Sequence, residues 1–219
     1  MTKLSAFWSS TAGKKIVMGV TGLIMIGFVV MHMLGNLQAF QGPEKLNGYG
    51  ALLHGPLHEL LLLLRVVLIL SLVLHVVAAV QLTLRDRAAR PVPYAQKVPQ
   101  AATPASRTLR IGGLLLLAFI VFHLLDFTTG RVHPAFIDGD PYHNLTTEFV
   151  RPVVAIFYLI AMVAVGLHVY HGAWSSLRSL GAARPKPNPL HRPVASALAL
   201  VVWLGFSVIP VAVLLGWLR

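Results

Sequence analysis

Residues 57–84 read LHELLLLLRVVLILSLVLHVVAAVQLTL, a stretch in which Glu59 and Arg65 are the only residues with a full charge. About 20 apolar residues in helical form cross the roughly 30 Å hydrocarbon core of a bilayer. Strands of membrane β-barrels are shorter, about 10 residues, and alternate between apolar and polar positions. The stretch therefore predicts a transmembrane α-helix.

The rest of the 219-residue chain has the same character. Hydrophobic residues make up 56% of it and charged residues 11%, which is too little polar surface to cover a soluble globule. The segments between the apolar runs are short and rich in glycine and proline, so they leave no room for a soluble domain. We expect an all-α bundle of five transmembrane helices in a single domain over residues 1–219, with helices at roughly 16–40, 57–84, 109–127, 150–175 and 194–218.

The chain contains no cysteine. Disulfides, thiolate metal sites and iron–sulfur ligation by this chain are therefore excluded. The apolar run after the basic segment Met1–Lys15 is longer than the 7–15-residue core of a signal peptide and lacks a small-residue cleavage site. It is interpreted as the first permanent helix.

Lysine and arginine are concentrated at one side of the predicted bundle. The N-terminal segment and the links at 85–110 and 178–192 hold 13 of the 18, whereas six of the seven acidic residues lie at or beyond the other side. Cytoplasmic loops carry such an excess of basic residues, so we expect a cytoplasmic N-terminus and an outside C-terminus. The net charge of +11 then reflects topology and contact with lipid or a soluble partner, not nucleic-acid binding.

The first four predicted helices each carry one central histidine, namely His32, His75, His123 and His168, and the fifth carries none. Ionisable groups inside a bilayer are costly and usually mark function. A lone histidine is more simply explained by a hydrogen bond across helices. One histidine in each of four helices favours a shared role.

The helical rise places these histidines at two depths. His75 and His168 each lie ten residues before the arginine at the cytoplasmic end of their helix, which is about 15 Å from that end. His32 and His123 lie 17 and 13 residues after the last basic residue at the same side, about 25 and about 20 Å away. The spacing predicts an inner pair, His75 with His168, and an outer pair, His32 with His123.

The paired histidines predict haem. An imidazole pair without a carboxylate at the inner level, and with no thiolate in the chain, does not complete a four-ligand metal site, whereas a haem iron needs only two axial ligands. We therefore expect two b haems, with the four histidines as ligands of the iron. Such an iron has no open position, which favours one-electron transfer over oxygen chemistry. Six glycines, at positions 19, 22, 27, 112, 113 and 166, either make room for the macrocycles or serve close helix packing.

Several motifs resemble a known family. Residues 9–15 are SSTAGKK, followed by HM at 32–33, GNL at 35–37 and NGY at 47–49, and the fourth helix holds HVYHGAW at 168–174. Together they resemble the cytochrome b subunit of B-type succinate dehydrogenases and fumarate reductases, and the similarity covers essentially the whole chain.

The resemblance implies a dihaem membrane anchor of a succinate:quinone oxidoreductase (complex II) of the respiratory chain and the tricarboxylic acid cycle. The dicarboxylate site would lie on a flavoprotein partner, which binds with an iron–sulfur protein to the cytoplasmic face of the bacterial inner membrane. A higher oligomer of the complex is compatible with this interpretation. The family assigns the same two histidine pairs, with His75 and His168 holding the haem nearer the iron–sulfur subunit.

The second half of the fourth helix refines this assignment. His168, four residues before Gly172, matches the family ligand, so His171 is expected to contact a haem propionate or a quinone, or to be a polar interfacial residue. Some fumarate-reducing relatives carry a proton-conducting glutamate where this chain has Gly166. The difference favours succinate oxidation with a menaquinone-type acceptor.

Polar residues near the outer ends of the second and third helices are candidates for a quinone site. Arg65 is expected to be buried and to contact a haem propionate, Glu59 or a quinone carbonyl, or else to extend to the interface. Asp126 is expected to support a ligand or quinone, or to cap its helix. The outer set comprises His54, His58, Glu59, Arg65 and Asp126, with Glu59 as the group that exchanges protons. The remaining histidines, His133, His143 and His191, are expected to be ordinary loop residues.

Two other functions remain open on the sequence. A haem-free anchor or transporter would use the histidines for proton relay or packing. The cytochrome b subunit of a hydrogenase or a formate dehydrogenase would keep the haems and change the electron donor. A visible spectrum separates the first from our interpretation, and the cofactor of the co-purified partner separates the second.

Overall fold

The computed structural model describes residues 2–89, 104–182 and 191–219. These residues form helices and contain no strand. A 3₁₀ turn, Leu37–Gln41, follows the second helix, and a π-helical turn, Leu124–Thr128, follows the fifth. The eight α-helices are α1 (Lys3–Ser9), α2 (Thr11–Asn36), α3 (Pro43–His54), α4 (His58–Ala88), α5 (Pro104–His123), α6 (Pro141–Phe149), α7 (Pro152–Ser179) and α8 (His191–Leu214).

The prediction of an all-α protein with five transmembrane helices is confirmed at the level of helix number, length and apolar character. Within the described residues, five helical segments are long and apolar enough to cross a membrane, which is the pattern of a multi-pass membrane protein. They are Thr11–Gln41, His58–Ala88, Ala105–Phe127, Pro152–Ser179 and Arg192–Leu214.

Two short helices lie where the sequence predicted only links. Gly42, with φ +96°, ends the preceding 3₁₀ turn, and Pro43 then starts α3 with its fixed φ. Asp140 caps α6 by accepting a hydrogen bond from the backbone N–H of His143 at 2.9 Å, and Pro141 again occupies the first turn. The prolines that suggested loops, Pro43 and Pro141, therefore lie at the starts of helices.

The last helix ends earlier than predicted. It stops at Leu214 and not at residue 218, because Gly216 adopts φ +73° and the N–H of Trp217 turns back to the carbonyl of Ala212 at 2.8 Å. A left-handed glycine followed by this backward hydrogen bond is a common helix end.

Helix α7 lies at the centre of the bundle and packs against α2, α5 and α8, while α4 packs against α2. In the most apolar 18 residues of α4, and likewise of α5, only 6% of the residues are buried within the protein. The corresponding share is 33% in α7 and in α8. Helices α4 and α5 are therefore the outer members. They are joined at one end by an exposed ion pair, in which Arg110 Nη2 lies 3.3 Å from Asp86 Oδ2.

The chain alternates in direction, so the five long helices share two ends. We call the end that carries the start of α2 the N-side, and the end that carries the C-terminus the C-side. Helices α3 and α6 cover the C-side and contact each other. Helix α3 also packs against the 3₁₀ turn, and α6 also packs against α8.

Asn47 connects the two covering helices. Its side-chain Nδ2 donates to Asp140 Oδ1 at 2.8 Å, and its Oδ1 accepts from the backbone N–H of Tyr142 at 3.0 Å. One amide thus holds both the cap and the first turn of α6.

Replacing Asn47 with Ala removes both hydrogen bonds and leaves the first turn of α6 without its partner. We expect the protein in detergent micelles to lose about 1–3 kcal/mol of stability, measured as a lower midpoint of thermal unfolding. Glu44→Ala, at an exposed position of the same helix, is the matched control and should leave the midpoint unchanged. Equal midpoints for both variants would contradict a linking role for Asn47.

Candidate functional site

The structure places His75 of α4 beside His168 of α7, with ring centroids 6.2 Å apart. His75 Nδ1 donates to the Met18 carbonyl at 3.1 Å and lies 3.3 Å from the Thr21 hydroxyl. That hydroxyl donates to the Val17 carbonyl, so the proton of the ring is on Nδ1 and the lone pair is on Nε2. His168 Nδ1 is buried without a hydrogen-bond partner in the described part of the chain.

His32 of α2 lies beside His123 of α5, with ring centroids 5.8 Å apart. Tyr158 of α7 donates its hydroxyl hydrogen to Asp126 Oδ2 at 2.7 Å. The same hydroxyl oxygen, 3.3 Å from His123 Nδ1, is left to accept the ring proton. His123 therefore also carries its lone pair on Nε2, and its ring is oriented through Tyr158 by a carboxylate, as metal-binding histidines commonly are.

Both separations fit two imidazoles on one metal ion. Rings on opposite sides of a metal, each bound at about 2 Å, have centres about 6 Å apart. His168 Nδ1 is buried without a hydrogen-bond partner among the described residues, so it is a polar atom that a bound group could satisfy. In the outer pair, Asn36 Nδ2 donates to His32 Nε2 at 3.2 Å, so binding at that nitrogen requires Asn36 to give up this bond. The residues present thus fit two bis-histidine haems.

His171, the alternative histidine of α7, lies beside Trp174 with ring centroids 6.4 Å apart. It is His168 that faces His75. The two histidines therefore differ in the structure by the residue that each contacts. In the sequence, only the resemblance to the cytochrome b family distinguished them.

The candidate glycines fall into three groups. A Cβ on Gly166 would lie 3.3 Å from Trp203 Cβ, and one on Gly19 would lie 3.7 Å from Ser176 Cα, so these two residues serve close helix packing. A Cβ on Gly22 would lie 3.3 Å from His75 Cε1. The other three, Gly27, Gly112 and Gly113, face open space.

A groove of about 390 Å³ runs between α5 and α7 beside the inner pair. Its walls are almost entirely apolar. They include Gly112, Leu115, Ile160, Ala164, Leu167 and His168. The groove could hold an apolar molecule, and the candidate haem-binding residue His168 forms part of its wall.

The proposed outer quinone residues do not share one environment. Arg65 is exposed on α4, and the expectation that it is buried is wrong; its Nη2 donates to His54 Nε2 at 3.2 Å. His58 and Glu59 are exposed in the first turn of α4. Asp126 is instead fully buried against Tyr158 of α7. The exposed residues His54, His58, Glu59 and Arg65 remain one surface set, where α3 ends and α4 begins. Asp126 belongs to a different cluster.

That cluster contains a residue for which the sequence interpretation was wrong. His133, expected to be an ordinary loop residue, is 4% exposed. Its Nδ1 lies 3.6 Å from Asp126 Oδ1, and its Nε2 lies 3.5 Å from Glu148 Oε2. Burial lowers the pKa of the His133 imidazole below its usual value, which favours the neutral ring at pH 7.

The sequence holds no signal for this group. Asp126, His133 and Glu148 lie on three different segments, so no single helix or strand places them on one face. Only the return of α6 over the end of α5 brings them together.

Comparison with protein-family models, with curated protein sequences and with solved structures finds no significant match for this chain. The resemblance of the motifs therefore remains an expectation.

Tyr158→Phe should destabilise the protein by about 1–3 kcal/mol, because it leaves the buried carboxylate of Asp126 and the His123 ring without their shared partner. The measurement is the midpoint of thermal unfolding in detergent. Tyr142→Phe is the control, since its hydroxyl donates only to the exposed Arg219 carbonyl. A similar loss in both variants would show that the Tyr158 hydroxyl has no special structural role.

Proposed function

We propose that this chain is a dihaem cytochrome b that anchors a succinate:quinone oxidoreductase in a membrane and passes electrons to a quinone. The observation that carries the proposal is the occurrence of two histidine pairs, on four helices, with ring separations of 6.2 and 5.8 Å. The motifs that resemble the cytochrome b family support the choice of complex.

Two b haems, when bound, supply one-electron carriers at two levels of the bilayer. The protein's part would be to hold the two haem irons with the imidazoles of His32, His75, His123 and His168, so that neither iron is free to bind oxygen. Met18 and Tyr158 fix the proton positions of His75 and His123, so each keeps its lone pair on Nε2, on a ring that a hydrogen bond already orients.

The basic N-side supports a topology with this side in the cytoplasm. Residues 90–103 and 183–190, which hold some of the basic residues counted in the sequence, lie outside the described part of the chain. The inner pair is nearer this side, so an iron–sulfur protein docked there with its flavoprotein partner would deliver electrons first to the inner pair. The described basic residues at this side are Lys3, Lys14, Lys15, Arg85, Arg87, Arg107, Arg110, Arg178 and Arg192.

Quinone reduction consumes two electrons and two protons, so its site needs hydrogen-bond donors for the carbonyls and a group that exchanges protons with water. The C-side end of α4 offers both. Arg65 can donate to a carbonyl in place of His54, and Glu59 is exposed in the first turn. His58 adds a second titratable group beside Glu59. We place the acceptor, a menaquinone-type quinone, at this set.

The haem proposal is tested by the haem content of purified variants. The unchanged protein should yield two b haems per chain in pyridine haemochrome analysis. His75→Ala and His168→Ala should each lose the same haem, by its spectrum and redox potential, because each removes one axial ligand of the inner iron. One haem or none in fully loaded protein would overturn the proposal.

His171→Ala is the matched control, since it removes a histidine only three positions from His168. It should keep both haems. If it loses the inner haem while His168→Ala keeps it, the two histidines have been assigned the wrong way round. A spectrum of His75→Ala that matches that of His32→Ala would show that the pairing is wrong.

Glu59→Gln should lower succinate:quinone activity of the whole complex several-fold, because it removes the proton-exchanging carboxylate. Haem content and succinate oxidation by an artificial dye should not change. Glu44→Gln, an exposed glutamate on α3 at the same side, should keep full quinone activity. Full activity in Glu59→Gln would move the quinone site away from the C-side of α4.

A further inference from the structure

Asp126, His133 and Glu148 form a buried cluster beneath the C-side cover. Asp126 belongs to the π-helical turn after α5, His133 to the loop that follows, and Glu148 to the end of α6. The side chain of each is at most 1% exposed. Three polar side chains buried this deeply need partners, since burial without them is costly.

The hydrogen bonds around His133 determine which of its nitrogens carries the proton. The Thr147 hydroxyl donates to the His143 carbonyl at 2.7 Å, so its oxygen can only accept from His133 Nε2, 3.2 Å away. His133 therefore has its proton on Nε2 and a lone pair on Nδ1. That lone pair faces Asp126 Oδ1, which is also an acceptor.

The two carboxylates are held with one free oxygen each. Tyr158 donates to Asp126 Oδ2, and Arg151 Nη1 donates to Glu148 Oε1 at 2.7 Å. The other oxygens, Asp126 Oδ1 and Glu148 Oε2, are buried and have no hydrogen-bond partner among the described residues, and the same is true of His133 Nδ1. Outer hydrogen bonds that fix ligand oxygens in this way are typical of metal sites.

The charge of the cluster favours an added cation. Two carboxyl groups and one imidazole share this interior with a single guanidinium, that of Arg151, so a cation bound between them would add the positive charge that the carboxyl groups lack. Arg151 is 47% exposed in its side chain, so part of its charge is compensated by solvent and not by the cluster.

We propose that Asp126, His133 and Glu148 bind one divalent transition-metal ion of the zinc type. The distance from His133 Nδ1 to Asp126 Oδ1, 3.6 Å, is too long for a hydrogen bond. It is close to the roughly 3.4 Å between two ligand atoms that each lie about 2.1 Å from a tetrahedral metal. One ligand atom from each of the three residues lies within 4.8 Å of the others. Glu148 Oε2 lies 3.5 Å from the other ring nitrogen, Nε2, so its side chain or the His133 ring has to move by about 1–2 Å to bring all three ligands to one ion. One imidazole with two carboxylates suits zinc and its neighbours.

The ion would join three segments that lie far apart in sequence and would fix the C-side cover. It does not depend on the proposed electron-transfer function, because none of its ligands is one of the four paired histidines. Asp126 is nevertheless linked to the outer pair through Tyr158.

The test uses the purified full-length protein, stripped with a chelator and then equilibrated with Zn²⁺ alone. We expect one tightly bound zinc per chain by mass spectrometry of the metal, a higher midpoint of thermal unfolding, and X-ray absorption that shows a nitrogen and oxygen shell with a single imidazole. His133→Ala should abolish this binding. Glu148→Gln, which keeps the shape of the side chain and removes its charge, should weaken it at least tenfold.

Two controls separate this site from others. His143→Ala removes a neighbouring histidine in the first turn of α6, whose Nε2 donates to the Ala135 carbonyl, and it should bind zinc normally. His32→Ala tests whether zinc enters the paired histidines, and it should also retain the bound ion. If folded unchanged protein binds no zinc, or if His133→Ala or Glu148→Gln binds it as well as the unchanged protein, the proposed site is wrong.

Discussion

Polar groups inside the five apolar helices must find partners within the protein, because hydrocarbon offers none. This constraint accounts for the ring orientations of His75 and His123, which each have a hydrogen bond to another helix. His75 finds the Met18 carbonyl of α2, and His123 finds Tyr158 of α7, which in turn finds Asp126. Each hydrogen bond joins two helices and also determines which ring nitrogen is free. Helix packing and the chemistry of the site thus depend on the same few contacts.

Five helices and their approximate positions could be predicted because length and apolar character are local properties of the sequence. The arrangement of the histidines at two depths also follows from counting residues, and the structure places His75 beside His168 and His32 beside His123. Counting fails where the chain turns back on itself. Helices α3 and α6 begin at Pro43 and Pro141, and prolines between apolar runs look the same whether they end a helix or start one.

The environment of single polar residues was the least predictable property. Arg65 lies within a run of leucines, yet α4 is an outer helix and its side chain is exposed. His133 lies in a polar loop, yet α6 covers it. In both cases burial is decided by a segment distant in sequence. Asp126 shows the same limit, since three positions after His123 it faces α7 and the loop at 133, not the surface residues of α4.

The contacts of the paired histidines also constrain the order in which the chain can mature during synthesis. The acceptor of His75, the Met18 carbonyl of α2, is synthesised before His75 itself. The hydrogen bond between α4 and α2 can therefore form as soon as α4 is inserted. His123 and Asp126 are made before Tyr158, which follows 35 and 32 residues later. Until α7 is inserted, the end of α5 therefore carries polar groups that no completed helix satisfies. A chain cut between α5 and α7 would therefore leave the His123 ring and the Asp126 carboxyl group without the Tyr158 hydroxyl that they share.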